Sequence, residues 1–395
     1  MASPLEGVRI ADFTLHAAGP FCAHVLSLLG AEVIKIESAM RPDIFRRPHP
    51  VYGRMDVSPF EQVAANKRSI TLNLREPRGV ELAKRLVGIS DMVIESFRPG
   101  VMERLGLGYD QLARVKPDVV MVSISAFGQT GPDRELPGYA PLFSAAGGLG
   151  FLTGYADGPP VEIRHVMDHS VGMIGAFAAM SALWHQRTFG RGQHVDVAAR
   201  EVASAFIGEA LLQAEYGQVP MRSGNASDAT APHGVYPCRE PDSWLSISIS
   251  DERQWSALVE TVGDSRLGEP RFATLAGRLA GAEELDAVVT EWTRTRDADD
   301  TARRLQERGV AAVPSWNAAA LASDGHLRSR GTIVDVPVDG KRRAVIGTLF
   351  RFSRSTSGLR TTTPALGEHN DYVFGDLLGL AEDERRMLQH ARVIF

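Results

Sequence analysis

Residues 7–38 read GVRIADFTLHAAGPFCAHVLSLLGAEVIKIES. The short apolar run at 7–13 fits a strand buried on both faces, and a Gly-Pro turn at Gly19 and Pro20 follows it. The next stretch, PFCAHVLSLLG, has the spacing of an amphipathic helix, and AEVIKIES returns to strand character. Such a unit implies a right-handed crossover between two parallel strands. The alternation continues downstream. After a Pro- and Arg-rich loop at 41–59, NKRSITLNL (66–74) is a third strand, and PRGVELAKRLVGI (77–89) is a helix with Pro77 in its first turn. DMVIESF (91–97) and DVVMVSISAF (118–127) are further strands, separated by VMERLGLGYDQLARV (101–115). The expected fold class is therefore α/β: a Rossmann-like domain with a mainly parallel sheet covered on both faces.

Later segments build on this frame. RHVMDHSVGMIGAFAAMSALW (164–184) is apolar almost all round, as a core helix would be, and HVDVAA after FGRGQ is another strand. Asp196 in that strand fits a strand-end hydrogen bond. From about Ala203 the character shifts to a polar loop, a short strand WLSISIS and amphipathic helices, so 1–224 is the first part of a large domain and 225–325 a smaller α/β domain. Residues 326–395 form a tail of β segment, loop and helix.

The chain has 395 residues, longer than a single core of roughly 250–300 residues sustains, in keeping with two domains. Charged residues make up 23%, and 43 Lys+Arg against 48 Asp+Glu give a net charge of −5 with the basic residues dispersed. That excludes the basic face a nucleic-acid partner requires. Only Cys22 and Cys238 occur, without a CxxC, so neither a disulfide framework nor a cysteine zinc site is expected and a reducing compartment fits. MASPLEGVRI shows no charged leader with an apolar core. The strongly apolar stretch at 173–184 falls short of the ~18 residues a membrane span needs. A cytoplasmic protein without a membrane partner is expected.

The first βα turn, LHAAGPF, lies where dinucleotide folds bind pyrophosphate, yet G-x-G-x-x-G is missing, and Glu37 only superficially mimics a ribose-binding acid. Arg41, Arg46, Arg47, Arg54, Arg75, Arg98 and Arg104 all follow strand ends. Singly each suits a solvated loop; together they suit a nucleotide-like anion. His165 and His169 stand at i, i+4, but no third ligand cluster accompanies them, and no metal site is expected. Asp168 between them fits a helix N-cap as well as a catalytic carboxylate.

LEGVRIADFT, AAGPF, LGAEVIKIES, ANKRSITLNL, DMVIESFRPGVMERLGLGY, ISAFGQTGP, AAGGLGFLTG, FGRGQHVDVA, SWLSISI with DERQW, and PALGEHN occur in this order. Nearly end to end, the chain resembles the class III coenzyme A transferases of the CaiB/BaiF type, the group that contains formyl-CoA transferase and the carnitine CoA-transferases. The resemblance implies an interlocked homodimer, with the 326–395 segment returning to the large domain. It implies transfer of CoA from an acyl-CoA to a carboxylic acid, with coenzyme A as substrate and no permanently bound cofactor. Asp168 would be the nucleophile, passing through a mixed anhydride and an aspartyl-CoA thioester. A carboxylate suits this role because it is ionised at neutral pH and attacks without a base.

The CoA contacts implied by position are His16, Ala17, Ala18, Leu72, Arg75, Ser96, Phe97 and Arg104, with Arg41 replacing the basic residue some relatives have where this chain has Ser38. The amides of Gly147 and Gly148 are candidate oxyanion donors. Ala140 stands where many members have an acidic residue. His233 and Tyr236 are placed near the acyl pocket or in a structural turn. The rival reading within the fold is an α-methylacyl-CoA racemase, which pairs the aspartate with a histidine. Residues 130–160 hold no histidine, although His165 and His169 are near in sequence. A CoA-binding protein without catalysis is the third reading.

Overall fold

The computed structural model describes residues 1–47, 59–163, 166–338 and 341–395. Six strands form one all-parallel sheet: β1 (Arg9–Asp12), β2 (Glu32–Glu37), β3 (Lys67–Thr71), β4 (Met92–Glu95), β5 (Val120–Ser125) and β6 (Gln193–Ala198). Their spatial order is 3-2-1-4-5-6, so the winding reverses between β1 and β4. Ile10 of β1 is in register with Val33 on one side and Met92 on the other.

The strands are continuous apolar runs because both of their faces are covered. Ile10, Val33, Ile94 and Val122 point into a core shared with α1 (Ala18–Leu28). Ala11, Ile34, Val93 and Met121 point the other way, onto Leu82 and Leu86 of α2 (Pro77–Gly88). Phe374, Leu388 and Ile394 of the C-terminal segment complete that second core. The connection before β5 is two short helices, α3 (Val101–Arg104) and α4 (Tyr109–Val115), interrupted by Gly106 at φ 74°.

Beyond β5 come α5 (Ala140–Ala146), α6 (Val166–Phe189) and, after β6, α7 (Ala199–Ala205). Helix α6 presses on α1 because Gly172 and Gly175 face it. A methyl group at Gly172 would fall 2.7 Å from the Ala18 carbonyl oxygen, and one at Gly175 would fall 3.3 Å from Cys22 Sγ of α1 and 2.9 Å from Ile124 of β5. Helix α6 is 24 residues long, twice the apolar stretch legible at 173–184, because Ser170 and Gln186 continue it at either end. By length and composition alone it would suit a membrane span, and 44% of its most apolar window is buried inside the protein.

The chain divides into two units, one of Met1–Gly150, Glu162–Pro220 and Leu327–Phe395, the other of Phe151–Val161 and Met221–His326. The second holds an antiparallel sheet of β7 (His233–Pro237), β8 (Trp244–Ser248) and β9 (Ala311–Pro314), in the order 7-8-9. Leu245 and Ile247 of β8 pack on Leu258 of α8 (Glu252–Val262), Val289 of α9 (Ala282–Thr293) and Leu305 of α10 (Ala298–Gln306). Phe151–Val161 joins this unit although the sequence pattern assigns it to the large domain. Its ties are the Arg222 guanidinium donating to the Phe151 carbonyl at 3.1 Å and the Gly224 N–H donating to Gly154 at 2.8 Å, contacts without any periodic signature.

Candidate active site

A cleft of about 630 Å³ opens at the carboxyl ends of β1, β4 and β5, where the winding of the sheet reverses. Open parallel sheets take their ligands at such a point. The segment after β1 supplies one wall, residues 96–99 after β4 a second, and Asp168 with Tyr139 and Phe143 closes a third side.

The first wall is held from beneath by buried charges. His16 adopts a left-handed φ of 69°, which a non-glycine residue keeps only under constraint. Its N–H donates to Asp43 at 3.2 Å, and the Leu15 N–H donates to Ser96 Oγ at 3.0 Å. One layer deeper, Lys67 Nζ lies 2.9 Å from Asp12 and donates to the Pro20 carbonyl at 2.9 Å. Lys35 Nζ donates to the Thr14 carbonyl at 2.8 Å and sits 3.8 Å from Asp43. Asp12, Lys35, Lys67 and Asp43 are all buried. Burial raises the Asp12 carboxyl, but the Lys67 and Lys35 ammonium groups outweigh it and hold the group below its ordinary range. Burial likewise draws the Lys67 ammonium down. These four residues are a sequence omission: Asp12, Lys35 and Lys67 appear as charges inside apolar strands, an anomaly that marks a buried polar network.

The second wall rests on Glu95, the buried last residue of β4. It accepts the Phe97 N–H at 2.7 Å and stands in register with Ser123 of β5. Burial pushes its carboxyl up to about 7.

Of the residues expected at the site, His16, Ala17, Ala18, Arg41, Ser96, Phe97 and Asp168 line this one cleft, and Arg98 joins them. Asp168 lies inside the first turn of α6, not ahead of it, because the helix already begins at Val166. A carboxylate there still gains from the helix dipole. Arg104 lines a neighbouring cavity of about 350 Å³ that shares Pro99 and Arg134 with the cleft. Two further expected residues line neither cavity. Leu72 is 1% exposed, in the core with Ile34 and Phe374, and Arg75 stands exposed beyond β3, the strand at the sheet edge.

Other candidates have structural partners. Glu37 is buried, forms a 2.7 Å pair with Arg46 and accepts from Ser69 at 2.7 Å, so both Glu37 and Arg46 brace the sheet instead of facing a ribose or phosphate. Arg47 donates to the Pro42 carbonyl. Arg54 and His165 lie outside the described residues, and the His169 ring packs edge-on against Phe21 at 4.3 Å. Asp196 accepts the Gln129 N–H at 2.8 Å. Gly147 and Gly148 lie outside the cleft lining, and their N–H groups donate to the Phe143 and Ala145 carbonyls. Ala140 is buried at the start of α5. His233 hydrogen-bonds with Thr230 and Ser248, and the buried Tyr236 donates to Asp286 at 2.6 Å.

A carboxylate in the first turn of a helix shares a cleft at the switch point of a Rossmann-like sheet with the exposed Arg41 and Arg98. The chain belongs to CoA-transferase family III, whose pattern matches residues 5–370. It is 37% identical over 398 residues to a succinyl-CoA–D-citramalate CoA-transferase of Chloroflexus aurantiacus, covering 99% of this chain and 98% of that protein. It is 31% identical over 400 residues to the β subunit of a succinyl-CoA–L-malate CoA-transferase of the same organism, again covering 99% and 98%. The crystal structure of a CaiB/BaiF family protein from Brucella suis superposes with a TM-score of 0.87 at 31% identity, over 95% of this chain and 100% of that one.

Proposed function

We propose that the protein transfers coenzyme A from an acyl-CoA thioester to a carboxylic acid through covalent intermediates on Asp168. The observation that carries the reading is the convergence of Asp168, the first βα turn, Ser96, Phe97, Arg41 and Arg98 on one cleft. The Asp168 carboxylate attacks the thioester carbonyl and expels CoA thiolate, leaving an acyl-aspartyl anhydride. The thiolate then attacks the aspartyl carbonyl, releasing the donor acid and leaving an aspartyl-CoA thioester. The acceptor carboxylate attacks that carbonyl, forms a new anhydride and frees the thiolate. Attack of the thiolate on the acceptor's acyl carbonyl gives the new acyl-CoA and restores the Asp168 carboxylate. The route needs no resident cofactor and no metal.

The leading N–H groups of α1, at Ala18 and Gly19, have no acceptor within their own helix and border the cleft, which makes them the donors of choice for the developing oxyanions. Arg41 and Arg98 would hold the CoA phosphates. The two relatives named for succinyl-CoA support a dicarboxylic acyl group on the donor.

A homodimer, interlocked as the family resemblance implies, is part of the proposal. Met173, Ile174, Phe177 and Trp184 lie on one exposed face of α6, Phe177 at 67% and Trp184 at 66%, a pattern that favours cover by a second copy. A cytoplasmic location is proposed on the two free, buried cysteines.

The test is intact-protein mass spectrometry after incubation with succinyl-CoA and a panel of other acyl-CoA thioesters, without acceptor, followed by peptide mapping. An acyl or CoA adduct on the Asp168 peptide is expected. Absence of any adduct, together with α-proton exchange in D2O, would replace transfer with racemisation.

A further inference from the structure

Glu95 lies one layer beneath the turn that carries Ser96, Phe97, Arg98 and Pro99 into the cleft. Towards the cleft its carboxylate accepts the Phe97 N–H at 2.7 Å, closing a tight turn from residue 95 to residue 97. Sideways Glu95 stands in register with Ser123, its cross-strand neighbour on β5. Ser123 Oγ is 2.9 Å from His194 Nε2 of β6, and the His194 ring stacks on Tyr109 with centroids 5.5 Å apart. A row of polar side chains therefore crosses three adjacent strands below the cleft floor. Ser96 extends the linkage to the first wall, accepting from the Leu15 N–H at 3.0 Å and donating to the Leu15 carbonyl at 3.2 Å.

A carboxylate at 3% exposure is costly to keep, and an apolar side chain would fill the same space without that cost. What an apolar residue cannot do is satisfy the Phe97 N–H, and an unpaired buried amide drives the backbone to rearrange. We infer that Glu95 is a positioning residue for the binding cleft: braced by Ser123 and His194, it holds residues 96–99 in the conformation that receives coenzyme A. The inference rests on the reading of the cleft as the CoA site. Glu95 touches no substrate; it acts through Phe97 and Ser96.

The experiment is calorimetric titration of the full chain and of Glu95→Ala, Glu95→Gln and Ser123→Ala with coenzyme A itself, alongside thermal unfolding of each. Glu95→Ala is expected to raise the Kd for CoA by about tenfold or more. Ser123→Ala should raise it by about threefold to tenfold, whereas Glu95→Gln, whose carbonyl oxygen still accepts the Phe97 N–H, should stay within about threefold. That rescue separates positioning from bulk stability. A wild-type Kd in Glu95→Ala overturns the inference and leaves the CoA reading standing. If Glu95→Ala fails to fold, an unchanged Kd in Ser123→Ala overturns it instead. Wild-type protein that binds no CoA overturns the cleft reading, and the inference with it.

Discussion

The Asp43 carboxylate accepts the N–H of His16 at 3.2 Å and thereby ties the loop after β2 to the turn after β1. The same side chain accepts the Phe45 N–H at 2.9 Å, so one buried carboxylate fixes two loops at the mouth of the cleft. Asp43→Ala should destabilise the protein by about 1–3 kcal/mol, since it leaves buried donors unpaired and the left-handed His16 unsupported. Urea unfolding measures that loss, and titration with coenzyme A should show weaker binding. An Asp43→Ala protein as stable and as tight-binding as wild type would mean the turn is held by something else.

Asp168→Asn keeps the shape of the side chain and removes its nucleophilicity. Turnover should fall by a factor of about 10³ or more, because no other group takes over covalent transfer. Thermal stability and CoA affinity should stay near wild type. Steady-state kinetics with a calorimetric control decides this, and retained turnover would remove Asp168 from the mechanism.

Lys67 and Asp12 form a pair with both side chains at 0% exposure. Lys67→Met strands the Asp12 carboxylate in the core, where breaking a buried pair costs about 3–5 kcal/mol. Asp12→Asn combined with Lys67→Met should recover much of that loss, and a double-mutant cycle by denaturant unfolding measures the coupling. The pH dependence has a definite sign. The Asp12 carboxyl is held below its ordinary 3.8, so its contribution is present above that value and is lost as the pH falls through the lower folded-state value.

Glu95 behaves in the opposite sense. Burial lifts its carboxyl from 4.5 to about 7, so its folded form keeps the proton longer than the unfolded chain does. Stability from this group is full below pH 4.5 and is lost as the pH rises through about 7. Glu95→Gln should therefore be stabilising at pH 8, by about 1–3 kcal/mol, and close to neutral at pH 4.5. Thermal melts of both proteins across that range give the difference curve. A gain that is flat with pH would show that ionisation of Glu95 is not its source.

Both the architecture and the family were legible in the sequence, for a physical reason: strands buried on both faces must be apolar throughout, and crossover helices must show a helical period. Residues 7–38 meet both demands, and the alternation repeats to β5. Asp168 was legible as a charge at the start of an apolar helix. Side-chain direction at a strand end is set by packing, which no local pattern records. Leu72 follows β3 and turns into the core, while Arg75 lies beyond the edge strand, away from the cleft. Glu37 and Arg46 resemble ligand-binding residues one at a time and prove to be each other's partners.

The sequence by itself determined the order of strands and helices, the double covering of the sheet and the small set of residue types able to carry the chemistry. Local periodicity encodes these, because each depends only on neighbours along the chain. Tertiary structure decided which strand ends meet. The 3-2-1-4-5-6 order brings the turns after β1 and β4 together, and Gly172 and Gly175 let α6 close on α1, so that Asp168 joins them at one cleft. Tertiary structure alone also set Asp12 against Lys67, 55 residues apart, and Glu95 against Ser123. Those contacts depend on how the strands align in space, and no short-range pattern records that alignment.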